Sequence, residues 1–306
     1  MPPSNLTSQT FACNGQTIHA KVGGPDDAPV MLFLHGFPEY WVAWEAVARQ
    51  FADRYRVVLP DQRGFNLSSK PTDRGAYNTK HLVADMADLV EQVAPDQRFI
   101  LCGHDWGASV AYAFAMRDPE RVEKLIIANG VHPICFQKAL YEDPAQTDAS
   151  QYMNVLRTEG SEGRLSRDTY QPLMNMFEKF SAAPWLDGGV GDSTRSAYLE
   201  AWSQPGALSA MLNWYRGSPM VVPDSGTPPT PFPITHAMRE KYALTMPHLL
   251  LWGMDDTALL PSARADLHQF CTDLTVIEFE NASHWILHEK PDKVANEITR
   301  FLDGTA

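Results

Sequence analysis

Arg98-Phe-Ile-Leu-Cys-Gly-His-Asp-Trp-Gly-Ala-Ser-Val-Ala-Tyr112 is the stretch on which the architecture turns. Phe99 to Cys102 is apolar without polar alternation, the mark of a strand covered on both faces. Ala108 to Met116 repeats apolar residues at helical spacing. Between them stands Gly103-x-Asp105-x-Gly107, in which small residues two before and two after a central position permit a strained strand-to-helix turn that lifts one side chain clear. That side chain is an aspartate, where such turns more often carry serine. An aspartate here could also be a plain helix N-cap, so the rest of the chain has to decide.

Outward from this turn the same rhythm recurs. Val30 to Leu34, Arg56 to Leu59, Leu125 to Ala128, Leu249 to Trp252 and Thr275 to Phe279 are short apolar runs, each ending in glycine or a turn. Segments of helical period lie between them, at Trp41 to Phe51, His81 to Val93 and Lys293 to Leu302. Strands alternating with helices predict a mostly parallel sheet with right-handed crossovers. Thr10 to Cys13 and Thr17 to Val22 flank Asn14-Gly15 and predict a β-hairpin leading into that sheet. From His132 to Thr235 the strand signal stops and the chain becomes helical and aromatic. It closes on Pro223-Asp-Ser-Gly-Thr-Pro-Pro-Thr-Pro-Phe-Pro233, whose prolines remove backbone donors and predict an extended return. The expected organisation is a core of residues 1–131 and 236–306 with a helical cap at 132–235.

A chain of 306 residues can bury roughly three-quarters of its unfolded surface, enough for one large catalytic unit. Its 44% hydrophobic and 20% charged residues exclude disorder as the main state. The net charge of -12 repels phosphate backbones and anionic lipids, so neither nucleic acid nor a membrane is an expected partner. No apolar stretch has signal-peptide or membrane-spanning length, and the expected location is cytoplasmic. Cys13, Cys102, Cys135 and Cys271 form no C-x-x-C pair and read as reduced thiols, not as disulfides or zinc ligands. The Asn-x-Ser/Thr triplets at Asn5, Asn66 and Asn281 would matter only in a secreted chain. The histidines His35, His104, His132 and His288 suggest turn or core roles with no metal-cage spacing, and no metal or cofactor is implied.

A carboxylate at the elbow changes the chemistry. Serine must lose a proton as it attacks, whereas an aspartate, with a reference pKa of about 3.9, is already charged at neutral pH. Attack on an sp³ carbon would leave an alkyl ester on Asp105, and hydrolysis of that ester by water requires a base. His284, after the last predicted strand and before the last helix, is placed for that role. Asp256, after the penultimate strand, would orient it, with the adjacent Asp255 as the alternative. The amide of Phe37, in His35-Gly-Phe-Pro38, and that of Trp106 would supply two donors for the oxyanion.

His35-Gly-Phe-Pro-Glu-Tyr-Trp41, Pro60-Asp-Gln-Arg-Gly-Phe-Asn-Leu-Ser68, Gly103-His-Asp-Trp-Gly107 and Ala282-Ser-His-Trp285 together resemble the epoxide hydrolases of the α/β-hydrolase fold. The resemblance spans nearly the whole chain and is strongest in the two core halves. It implies an α/β-hydrolase fold, a small-molecule epoxide as substrate, no cofactor, and two cap tyrosines that protonate the opening epoxide. Tyr152, in Ser150-Gln-Tyr-Met-Asn-Val-Leu-Arg157, matches the first. Tyr198, upstream of Leu212-Asn-Trp-Tyr-Arg216, matches the second with an interval that differs by about one residue, and Tyr215 and Tyr170 are the alternatives. Part of the core pattern is shared with hydrolytic dehalogenases, in which a departing halide needs N–H donors and no proton; Trp106, Trp185 or Trp202 could supply them. A non-catalytic ligand-binding protein is the rival from another class, and an esterase is disfavoured because the elbow lacks serine. Phe136, Phe177, Phe180 and Trp214, with Trp185 and Trp202, hint at an apolar or aryl substrate, although such residues also pack a cap. A homodimer is compatible with the sequence and not specified by it.

Overall fold

Eight strands form one sheet, the central ones short apolar runs with both faces covered: β1 (Thr7–Cys13), β2 (Gln16–Gly23), β3 (Val30–Leu34), β4 (Arg56–Pro60), β5 (Phe99–His104), β6 (Val122–Ala128), β7 (His248–Gly253) and β8 (Leu274–Phe279). In the computed structural model of the chain, which describes residues 6–182 and 191–305, they lie in the order β1-β2-β4-β3-β5-β6-β7-β8. β1, β2 and β4 are paired antiparallel, and every pairing from β4 through β3 to β8 is parallel. Every residue of β3, β5 and β7 is buried, while β1 at one edge is largely exposed.

The two-residue period of a strand sorts these apolar side chains between two cores. Met31, Phe33, Ile100, Cys102, Ile126, Leu249 and Leu251 face one layer, where Trp44, Val294, Ile298 and Phe301 cover them. Leu32, Leu34, Leu101, Leu125, Ile127 and Leu250 face the other, under the helices Thr79–Val93 and Trp106–Arg117. The hairpin turn is Asn14-Gly15, both at positive φ (49° and 72°), a geometry that matches the twist of two paired strands. One expectation is corrected. Trp41 to Phe51 is not a single helix but a 3₁₀ turn, Trp41–Trp44, followed by one helical turn, Glu45–Ala48, with the Trp44 indole N–H donating to the Leu34 carbonyl at 2.9 Å.

Between β6 and β7 the described residues are mostly helical, from Pro133–Glu142 to Lys179 and again from Gly191–Ser203 through Ala207–Gly217, then mostly irregular up to the short helix His236–Lys241. Two indoles seat these helices on the core. Trp214 donates to the Arg63 carbonyl at 2.8 Å, and Trp202 to the Pro38 carbonyl at 2.6 Å. Among the described residues no helix is long and apolar enough to cross a membrane.

The strand order reverses direction at β3, which has β4 on one side and β5 on the other. Loops leaving neighbouring strands at such a point diverge and open a crevice at the carboxyl ends. The loops after β3, β5, β6, β7 and β8 carry Phe37, Asp105, Asn129, Asp256 and His284 to that crevice.

Candidate active site

Asp105 follows β5 directly, with φ 51° and ψ −122°, a backbone conformation that a residue with a Cβ adopts only when its surroundings impose it. Two glycines make room for it. A Cβ on Gly107 would come within 2.2 Å of the Leu34 carbonyl, and one on Gly36 within 2.2 Å of Asp105 Oδ1. The turn therefore lifts the carboxylate out of the strand and against the loop after β3. There the Phe37 amide donates to Asp105 Oδ1 at 2.7 Å. The amide of Trp106 opens the helix Trp106–Arg117, so it belongs to the first-turn donors that a helix cannot satisfy internally.

His284 stands beside the other carboxylate oxygen, with Nε2 at 3.5 Å from Asp105 Oδ2. Its Nδ1 lies 2.8 Å from Asp256 Oδ2. Asp256 is fixed in turn by the amides of Ala258 (2.8 Å) and Leu259 (2.9 Å) on Oδ1 and by the Asn129 carboxamide (2.8 Å) on Oδ2. Asp255 is exposed, and of the two neighbours only Asp256 meets the imidazole.

Asp105 opens on a cavity lined by Asp105, Trp106, Ser109, Val131, Phe136, Tyr152, Met153, Tyr215, Met220 and Leu259. Its walls are apolar except for the carboxylate and a few hydroxyl and indole groups, the kind of lining that small-molecule sites carry. Among the described residues no cluster of three or more His, Cys, Asp or Glu side chains is placed to hold a metal ion.

This geometry can be set beside known proteins. The family profile of the alpha/beta hydrolase fold matches residues 29–291. The chain belongs to the α/β-hydrolase family. It is 35% identical over 94% of its length to an AB hydrolase superfamily protein of Bacillus subtilis, of which it covers 95%. It is 33% identical to epoxide hydrolase 1 of Caenorhabditis elegans over 94% of its own length and 68% of that protein. Among solved structures, an epoxide hydrolase from hot-environment metagenomes superimposes with a TM-score of 0.87 at 34% identity, covering 97% of this chain and 99% of that one.

In this α/β-hydrolase the second cavity tyrosine is Tyr215, and the expectation for Tyr198 is corrected. Tyr198 and Trp202 are one turn apart on the helix Gly191–Ser203, and residues so spaced share a face. That face packs on the loop after β3. The Tyr198 hydroxyl donates to Glu39 Oε1 at 2.9 Å and lies 3.4 Å from His288 Nε2, away from the cavity. Tyr215, on the next helix, Ala207–Gly217, reaches the cavity, its ring edge-on to Phe37 and Trp106 with centroids 5.1 Å from each. Tyr152 stands beside it at 6.3 Å between centroids. Tyr170 packs on Trp202, whose N–H is already spent on Pro38, and Trp185 lies outside the described residues.

The electrostatics follow from burial. Burial, reinforced by the charge of Asp105, raises the hydroxyls of Tyr152 and Tyr215 above the ordinary tyrosine value, so both are proton carriers at neutral pH. Burial opposes a charge on His284, but the Asp256 and Asp105 carboxylates outweigh it and push the imidazole up to about 10. Burial likewise opposes the charge of Asp256; His284, the Leu259 amide and Asn129 hold its carboxyl below the usual range. Burial keeps His35 neutral, with Nδ1 at 3.0 Å from the Gly36 carbonyl and Nε2 accepting from the Gln62 amide at 3.1 Å.

Two supporting residues escaped sequence reasoning. Asn129 clamps the acid from β6 and also accepts from the Gly253 amide at 2.8 Å; its signal was the Asn-Gly pair ending a buried strand. Glu39, inside the motif His35-Gly-Phe-Pro-Glu, is fully buried between His288 Nε2 at 2.5 Å and His104 Nδ1 at 3.3 Å. Burial opposes its charge, and the two histidines hold its carboxyl well below the usual range. His104 Nε2 in turn lies 2.8 Å from the His284 carbonyl.

Proposed function

We propose that this chain hydrolyses epoxides to vicinal diols through a covalent ester on Asp105, with residues 132–235 serving as a cap over the core formed by 1–131 and 236–306. The observation that carries the reading is that the Asp105 carboxylate and two tyrosines, Tyr152 and Tyr215, line one cavity. A nucleophile that shares a cavity with proton donors suits a substrate whose carbon is attacked while its oxygen gains a proton. The epoxide hydrolases among the relatives add weight to that choice.

In the first step a carboxylate oxygen of Asp105 forms a bond to one epoxide carbon, and the C–O bond of the ring breaks. The oxygen released takes a proton from Tyr152 or Tyr215. In the second step water loses a proton to His284 Nε2 and adds to the ester carbonyl. The Phe37 amide, already on Asp105 Oδ1, and the Trp106 amide face the oxyanion. Collapse breaks the acyl–oxygen bond, the departing oxygen takes the proton from His284, the diol leaves, and the proton left on the Asp105 carboxyl passes to His284, which restores the resting site.

The charge balance explains how His284 becomes a base. In the resting site two carboxylates favour its protonated form. Esterification neutralises Asp105, so one of them disappears and the imidazole gives up its proton more readily, to the tyrosinate left by the first step, which becomes tyrosine again. Asp256 remains to stabilise the imidazolium formed as water attacks.

The test is diol formation from styrene oxide and short aliphatic epoxides, run beside halide release from matched haloalkanes, with Asp105→Asn as the blank. Diol that vanishes in the variant is the expected result. Halide without diol would transfer the reading to a dehalogenase that uses the same Asp105 and His284. Binding without either product would leave a ligand-binding protein.

A further inference from the structure

The cap touches the oxyanion loop at two points that the proposed chemistry leaves unused. Residues Gly36 to Glu39 form a tight turn, closed by the Glu39 amide donating to the Gly36 carbonyl at 3.0 Å. The near side of this turn presents the Phe37 amide to Asp105 Oδ1 at 2.7 Å. Its far side is gripped by the cap helix Gly191–Ser203, where Trp202 Nε1 donates to the Pro38 carbonyl at 2.6 Å and the Tyr198 hydroxyl donates to Glu39 Oε1 at 2.9 Å. Both side chains are fully buried, so these bonds are shielded from competing water.

We infer that Tyr198 and Trp202 are positioning residues that set the Phe37 amide from across the cap, so that hydrolysis of the Asp105 ester depends on the seating of this helix while opening of the epoxide does not. The inference rests on the ester mechanism proposed above. A four-residue turn has few free torsions, and proline fixes one of them, so a shift at the Pro38 carbonyl carries to the Phe37 amide. That amide is needed most when negative charge develops on the ester oxygen. In the first step the charge on Asp105 is being lost, and a displaced donor costs little there. The core holds Glu39 as well, through His288 and His104, so removal of one cap bond should be felt less than removal of both.

The experiment compares Tyr198→Phe, Trp202→Phe and the double variant with the wild-type chain, using styrene oxide, steady-state kinetics and intact mass of quenched enzyme. Both substitutions keep an aromatic ring at the position that packs on Phe177 and remove the donor that reaches the turn. Loss of a whole oxyanion donor typically costs about 10²–10³ in kcat, so a displaced donor should cost about 10-fold in the double variant. The single variants should lose about threefold each. The inference expects kcat and KM to fall together with kcat/KM retained, and the fraction of enzyme carrying the ester to rise above wild type. Ser203→Ala, at the exposed end of the same helix, should match wild type. A loss in kcat/KM without added ester, or unchanged kcat in the single and double variants alike, would overturn the inference. Should the double variant fail to fold, the single variants carry the same signature at smaller amplitude. His284→Gln separates the two levels: no ester in that variant would overturn the mechanism itself, whereas ester there and none in the cap variants would overturn only the role of the cap.

Discussion

The loops at the strand ends and the helices of the insert build opposite sides of one cavity, and they do so under different constraints. Asp105 and Asp256 follow buried strands and His284 follows the edge strand β8, and the register of each strand against its neighbour fixes where the loop after it begins. Tyr152, Tyr198 and Tyr215 sit on helices with aromatic residues on several faces, where packing on the core selects the face turned to the cavity. The strand-end residues are therefore placed by hydrogen bonds of the main chain, and the insert residues by indole and phenol contacts. A role can be read from position alone in the first region and only from helix orientation in the second.

The largest test of this contrast lies on the strand side. Asp105→Asn keeps the size of the side chain and removes its charge, and diol formation should fall by at least about 10⁴-fold, as when an essential member of a catalytic unit is lost. A smaller fall would place the nucleophile elsewhere. The insert side offers a sharper comparison between two phenols. Tyr215→Phe should reduce kcat/KM for epoxide opening by about 10²-fold, the lower range for a proton donor, whereas Tyr198→Phe should leave kcat/KM at the wild-type value. Equal losses at both positions would erase the distinction drawn from the structure.

Smaller effects report on support. Asn129→Ala leaves Asp256 Oδ2 short of one donor and the Gly253 amide without its side-chain acceptor; it should cost about 1–3 kcal/mol in urea unfolding, since buried polar groups are stranded. Smallest is a pH effect. The pKa of His284 is raised in the folded chain to about 10 from 6.5, so its pairing stabilises the fold fully below pH 6.5 and is lost as pH rises through about 10. The stability of the wild-type chain relative to His284→Gln should therefore decline between pH 6.5 and 10. A difference that grows across this window would contradict the pairing.

The middle of the sheet was legible because its central strands are covered on both faces, which leaves continuous apolar runs such as Phe99 to Cys102 and Leu249 to Trp252. The Asn14-Gly15 hairpin was legible for a local reason, since two successive positive φ angles favour those residue types. The segment Trp41 to Phe51 misled because helical spacing of its tryptophans reflects their packing under the sheet, where Trp44 reaches the Leu34 carbonyl. Tyr198 misled for a similar reason. Its neighbourhood carries the right aromatic residues, but Glu39, a buried carboxylate contributed by a distant loop, draws its hydroxyl to the far side of the turn. Glu39 itself drew no notice as a site residue because nothing local marks a carboxylate whose partners, His104 and His288, are far apart in sequence.

The central claim is that Asp105 becomes covalently bonded to substrate carbon and that His284 is needed only to release it. Intact mass of His284→Gln after incubation with styrene oxide tests this most directly, followed by peptide mapping. The account predicts a gain of one substrate mass on the peptide containing Asp105, absent in an Asp105→Asn, His284→Gln double variant. Unmodified enzyme that still produces diol, or a label on any other residue, would contradict it.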